Sequence, residues 1–189
     1  MTPRPLIVSI ALVSLLAATA VPARADILLT PFLGVTFGAD TPTRQFTYGF
    51  SAAVLSQGMI GLEFDAALTP NFFDSDSATF ADGNVSTAML NLMISSSAQG
   101  APLRPYVSAG AGVLHSRATS VGNVFELNDN QLGLDVGVGA IAKLAGTTGL
   151  RGDIRYFRSL QDANGGDGID LDLGNLDFWR ATLGLSFRF

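Results

Sequence analysis

The chain has 189 residues, enough for one domain, with a formal net charge of −5 and no cysteine. Apolar residues make up 48% of it and charged residues 14%, against about 25% charged in ordinary soluble domains. This composition excludes a disulfide framework and thiol chemistry, and the acidity argues against nucleic acid as a partner.

Residues 1–25 read as a signal peptide. Arg4 gives a basic start, Leu6 to Ala20 is apolar, and Ala23-Arg24-Ala25 forms a small-x-small cleavage site before Asp26. The apolar run is shorter than the ~20 residues a spanning helix needs. Cleavage there removes Arg4 and Arg24, so residues 26–189 carry −7 where the whole chain carries −5.

From Ile27 onward the side chains alternate. The first strand, Ile27 to Gly38, sets Leu29, Leu33, Val35 and Phe37 against Thr30, Gly34 and Thr36. Successive strand residues point to opposite faces, so one face is apolar and the other polar or small. After a turn at residues 39–43, the second strand, Arg44 to Leu55, repeats the pattern with Phe46, Tyr48, Phe50 and Val54 against Thr47, Gly49 and Ser51. The third, Met59 to Thr69, sets Leu62, Phe64 and Leu68 against Glu63, Asp65 and Ala67. A polar loop from Pro70 to Gly83 carries Asp74, Asp76 and Asp82.

The fourth strand, Asn84 to Ser95, has Leu90, Leu92 and Ile94 opposite Thr87, Met89, Asn91 and Met93. The fifth, Leu103 to Arg117, has Val107, Ala109 and Val113 opposite Tyr106, Ser108, Gly110 and Gly112. The sixth, Asn130 to Leu144, has Leu132, Leu134, Val136 and Val138 opposite Asp135, Gly137, Gly139 and Lys143. The seventh, Thr148 to Leu160, has Leu150, Ile154 and Tyr156 opposite Arg151, Asp153 and Arg155. Trp179 to Phe189 alternates without a break, with Arg180 and Arg188 on the polar side.

The fold class expected is all-β: an eight-stranded antiparallel up-and-down barrel spanning residues 26–189. The strands run about 11 to 15 residues, longer than the ~5–6 of soluble sheets and long enough to cross a bilayer on a tilt. The second, fourth and sixth connections are short and the third, fifth and seventh are long, as short periplasmic turns and long surface loops would be, with the short first outer loop as the exception.

Two barrels fit this pattern: a membrane barrel with the apolar face outward, and a soluble lipocalin-like barrel with it inward. The polar face favours the first. It is filled with Gly, Ser, Thr and Ala, and the whole chain holds a single lysine, Lys143. Its charges balance: Glu63, Asp65, Asp135 and Asp153 face Lys143, Arg151, Arg155, Arg180 and Arg188. Enclosed charges require such pairing. Aromatics near strand ends (Phe37, Phe46, Tyr48, Phe72, Phe73, Tyr156, Phe178, Trp179, and Phe187 at the other end) read as interfacial girdles.

The alternating strands, the stretch Arg104-Pro105-Tyr106-Val107-Ser108-Ala109-Gly110-Ala111-Gly112 and the terminal Phe187-Arg188-Phe189 resemble the small eight-stranded outer-membrane β-barrel superfamily, which includes the OmpA transmembrane domain, OmpX and OmpW. The resemblance covers residues 26–189. It implies the outer membrane as location, lipid and lipopolysaccharide as surroundings, and Phe189 as part of the signal read by the assembly machinery.

Other chemistry is weakly supported. His115 and Ser116 are strand neighbours and so point to opposite faces, unlike the His and Ser of barrel enzymes that deacylate lipid A. Asp162, Asn164, Asp167, Asp170 and Asp172 resemble calcium loops, but the spacing departs from the EF-hand and only one β-roll repeat is present. No phosphate loop, dinucleotide fingerprint or zinc cluster is found, so no cofactor or metal is expected. The expected function is a monomeric, non-enzymatic barrel with a structural or surface-contact role through loops around Asp74, Glu126 and Asp167. A narrow OmpW-like channel for small apolar solutes is the alternative, with Gly110, Gly112, Gly137 and Gly139 leaving room for it. A lipid A-modifying enzyme is a lesser one.

Overall fold

Alternation at a period of two, sustained across the chain, produces strands and nothing else among the described residues. The computed structural model describes residues 25–38, 41–56, 59–72, 80–96, 101–120, 126–160 and 176–189. They form β1 (Ala25–Gly38), β2 (Thr41–Ser56), β3 (Ile60–Thr69), β4 (Phe80–Ser95), β5 (Leu103–Ser120), β6 (Glu126–Ala145), β7 (Thr148–Ser159) and β8 (Asp177–Arg188). The expected cleavage motif's Ala23 and Arg24, Asp74, and the acidic stretch 162–172 lie outside the described residues.

Each strand pairs antiparallel with the next, and β8 returns to β1. That seam runs from Leu28 opposite Arg188 to Phe37 opposite Trp179. The closed sheet leaves no free edge, so the backbone ladder runs round the wall, with register shifts between β1 and β2, β4 and β5, and β6 and β7. At the turn end β6 and β7 are joined by Gly146-Thr147, with Gly146 at φ 54°. A positive φ at the first turn residue suits glycine and matches the twist of a two-residue hairpin.

Strands at the loop end run further than the apolar alternation does. β4 starts at Phe80, β5 reaches Ser120 and β6 starts at Glu126, with Phe80 paired to Ser120 and Thr119 to Glu126. The ladder holds there without the apolar alternation, because backbone pairing above an apolar belt needs no apolar side chain.

The faces are inverted relative to a soluble protein. Leu33, Leu90 and Leu132 are about 60% exposed (58%, 59% and 60%) on the outer wall, whereas Arg155 and Glu63 are fully enclosed. Outward rows on all eight strands are apolar, a continuous exposed surface far beyond what a monomer in water sustains.

Candidate functional site

The lumen is built in three levels. Near the turn end, Leu28, Ala53, Leu55, Met93, Tyr106 and Ile141 form an apolar plug. Near the loop end, Phe72, Val85, Met89, Leu114, Phe157, Leu176 and Phe178 form another. Phe157 stacks on Phe178 at 4.8 Å between centroids, and Phe72 meets Phe178 edge-on at 5.2 Å.

Between the plugs lies an ionic layer. Arg155 Nη2 donates to Glu63 Oε2 at 2.7 Å, and Arg155 Nη1 sits 3.4 Å from Asp135 Oδ2. Arg151 Nη2 lies 2.6 Å from Glu63 Oε1, an ion pair whose angle falls short of a hydrogen bond. Arg151 Nε donates to the Tyr106 hydroxyl at 2.7 Å, and that hydroxyl donates to Asp153 Oδ2 at 2.7 Å. Arg180 Nη2 donates to Asp65 Oδ1 at 2.6 Å, while its guanidinium lies 4.7 Å from the Phe157 ring centroid. Arg180 thereby joins the ionic layer to the loop-end plug.

Neutral groups complete the layer. Arg151 Nη1 donates to Ser51 Oγ at 2.9 Å, and Arg180 Nη1 to Thr87 Oγ1 at 3.2 Å. Thr182 Oγ1 donates to Asp153 Oδ1 at 3.1 Å. With its amide nitrogen toward Asp135, Asn91 donates to Oδ1 of that residue and accepts from Arg155 Nη1, both at 2.6 Å. Buried charges so paired and hydrogen-bonded are tolerated, whereas single ones are not.

The structure thus brings Glu63, Asp65, Asp135, Arg151, Asp153, Arg155 and Arg180 together. It does not bring Lys143 and Arg188 to them, which corrects the expectation of a nine-member network. Both share the inward parity but sit at the turn-end rim, beyond the apolar plug. Lys143 is exposed there, and the Arg188 side chain is 38% exposed with Asp26 3.9 Å away.

The glycines expected to leave a gap do not leave one. A Cβ at Gly137 would fall 2.6 Å from Arg155 Cγ, and one at Gly112 2.8 Å from Met89 Sδ. At Gly110 it would overlap Asn91 Oδ1, and at Gly139 the Tyr106 hydroxyl. The missing side chains are the space into which these larger ones fold.

On the outer wall, Tyr156 packs on Trp179 with ring centroids 5.1 Å apart, and Phe46 on Tyr48 at 6.2 Å. Phe37 pairs with Trp179 in the β1–β8 ladder. All five lie toward the loop end. Phe187, paired with Leu29, and Phe189, bonded to Ile27 through both backbone groups, lie at the turn end. Phe178 and Phe72 are a correction: they belong to the plug and not to a girdle. Phe178 has the parity of Arg180, which places it inside. Phe73 lies outside the described residues.

The family model of the outer membrane protein beta-barrel domain matches residues 8–189. The chain belongs to that family. Among solved structures it is similar to Neisserial surface protein A, at 14% identity, covering 87% of this chain and 97% of that one with a TM-score of 0.64. The N-terminal β-barrel domain of Pseudomonas aeruginosa OprF matches at 18% identity, 87% and 97% coverage and a TM-score of 0.59. Ail of Yersinia pestis, in complex with the heparin analogue sucrose octasulfate, matches at 12% identity, 87% and 98% coverage and a TM-score of 0.55. At these identities the likeness is one of fold. No curated protein matches the sequence significantly.

In this family the barrel lies in the outer membrane, with the turn end toward the periplasm and the loop end outside. The wall at the outer rim carries polar residues, among them one row across three strands. Ser86 on β4 is the ladder partner of His115 on β5, and His115 is the ladder partner of Asn130 on β6. His115 Nδ1 is 2.8 Å from Asn130 Oδ1. The row borders a groove of about 260 Å³ that Tyr48, Leu68 and Arg117 also line. Ser116, by contrast, is buried in the lumen.

Sequence reasoning left Asn91, Tyr106, Ser51 and Thr87 out of the network and Phe157 and Leu114 out of the plugs. Strand parity marks all of them as inward. The partners of Asn91, Tyr106, Ser51 and Thr87 lie on non-adjacent strands, a relation that alternation does not encode.

Proposed function

We propose that this chain is a non-enzymatic integral outer-membrane barrel with a structural or surface-contact role, closed to solute flow. The observation that carries this reading is the lumen, filled at three successive levels by an apolar plug, an ionic layer and a second apolar plug. An eight-stranded barrel is just wide enough for side chains to fill. The runner-up, a narrow channel or OmpW-like carrier, needs a continuous gap, and the glycine positions that would supply it are occupied by Asn91, Met89, Arg155 and Tyr106. Planar-bilayer recording tests the choice. No conductance is expected from the protein or from Arg155→Ala, in which both plugs remain. Steady single-channel current from the unmodified protein would overturn the closed reading.

Contact with the surroundings follows from position. The apolar wall meets lipid and lipopolysaccharide, the barrel acts as a monomer, and Phe189 presents the terminal aromatic to the assembly machinery. Surface ligands would meet the loops around Asp74, Glu126 and Asp167. Ail binds a polyanionic sugar analogue; the acidic residues here favour a cationic partner instead.

The Ser86–His115–Asn130 row supports a second reading as a lipid A-modifying enzyme. Ser86 would be the nucleophile, His115 the base and Asn130 the group holding the imidazole, the roles of a hydrolytic triad. Mass spectrometry of lipid A from cells with the protein, without it and with Ser86→Ala tests this. Acyl loss that depends on Ser86 would establish the enzyme, and identical lipid A in all three would remove it.

A further inference from the structure

The periplasmic rim gathers positive charge apart from the ionic layer. Arg104 from β5, Lys143 from β6 and Arg188 from β8 line one recess of about 50 Å³. Its inner wall includes Leu28 and Ile141 of the turn-end plug. Apolar side chains thus stand between these cations and the ionic layer, and prevent direct contact with Glu63 and Asp153. Asp26 approaches two of them, at 3.8 Å from Arg104 Nη1 and 3.9 Å from Arg188 Nη1. Both distances exceed hydrogen-bond range. Among the described residues Lys143 makes no ion pair, and Arg188 has Asp26 alone.

A second observation points to a ligand. Ser186 lines the same recess and is 2% exposed, yet its Oγ has no hydrogen-bond partner in the protein. An enclosed hydroxyl left unpaired costs free energy. Here it lines a recess shared with the cationic side chains of Lys143 and Arg188.

We propose that this recess is an anion site, open to the periplasm, for one compact oxyanion: a phosphate or carboxylate group. Lys143 and Arg188 supply charge and donors from the two strands that flank β7, Arg104 supplies a guanidinium from β5, and the Ser186 hydroxyl donates from β8. The volume admits a single such group and no polymer chain. Charge-assisted hydrogen bonds of this kind are about twice as strong as neutral ones. The group comes either from a soluble anion or from the headgroup of a phospholipid in the inner leaflet.

Equilibrium dialysis of the barrel in neutral detergent against labelled inorganic phosphate, and separately against acetate, tests the site. Saturable binding approaching one anion per barrel is expected. Lys143→Ala with Arg188→Ala should weaken it by about tenfold or more, since each charged hydrogen bond lost is worth that order. Both positions are solvent-accessible, so the double variant keeps the wall and plugs. Lys143→Arg should retain binding. Repeating the dialysis in phosphatidylglycerol vesicles separates the sources: binding lost there assigns the site to lipid headgroups, and binding kept assigns it to a soluble anion. Absence of saturable binding of either anion in detergent would overturn the proposal, as would equal binding by the double variant.

Discussion

Arg155 Nη2 donates to Glu63 Oε2 at 2.7 Å, joining β7 to β3 across the barrel between residues 92 positions apart. Neither side chain reaches solvent. Arg155→Ala leaves Asp135 without its arginine and Glu63 with Arg151 alone, in an enclosed layer. A loss of about 3–5 kcal/mol of stability is expected, the range for breaking a buried pair by removing one partner. Urea titration of the barrel refolded in lipid vesicles measures it. Asp135→Asn should cost much less, because four acids face three arginines in the layer and the amide preserves the shape.

The outer wall predicts a dependence on depth. Leu90 lies outside the ionic layer, next to Asn91, while Leu144 is near the periplasmic turn. Leu90→Arg should destabilise the barrel in lipid by about 2–4 kcal/mol and Leu144→Arg by about 0–1. Equal small effects would point to water around the wall. The same titration reads both.

Trp179 is the only tryptophan and lies on the outer face beside Tyr156. Its emission should be quenched more by lipids brominated near the headgroup than by those brominated near the chain end. This follows from a ring at the membrane interface, where amphipathic aromatics concentrate.

The loop-end plug is tight at one glycine. A Cβ at Gly133 would come 2.8 Å from Leu114 Cδ1. Gly133→Ala should destabilise by about 1–3 kcal/mol through overpacking, and Leu114→Ala by about 2–5 through the cavity it leaves. The double variant should cost less than the sum, because the new methyl enters the vacated space. Strict additivity would mean that the two side chains do not share that volume.

Much of the architecture was legible because a barrel in lipid exposes a single rule, alternation, along every strand. Strand number, inward and outward faces and the β1–β8 seam follow from it. The rule loses force where water returns. The continuations Phe80–Gly83 and Glu126–Asp129 carry no sustained apolar alternation, yet the ladder extends through them. Parity placed Lys143 and Arg188 on the inner face, but it carries no information about depth, which put them at the rim and not in the layer. Partner choice across the lumen is set by the size of facing residues. Arg155 reaches Glu63 because Gly137 and its like give way, and the strand pattern does not reveal that.

The three arginines of the ionic layer all come from β7 and β8, whereas Glu63, Asp65 and Asp135 come from β3 and β6. A chain with only its first six strands in place holds acids with no counter-charge. Arrival of the final hairpin supplies every missing cation at once, in the same event that seals the β1–β8 seam. Completion of the wall and neutralisation of its interior are therefore one step. A barrel lacking its last hairpin is penalised twice, by an open edge and by an uncompensated cluster of carboxylates, which disfavours partly built forms in the membrane.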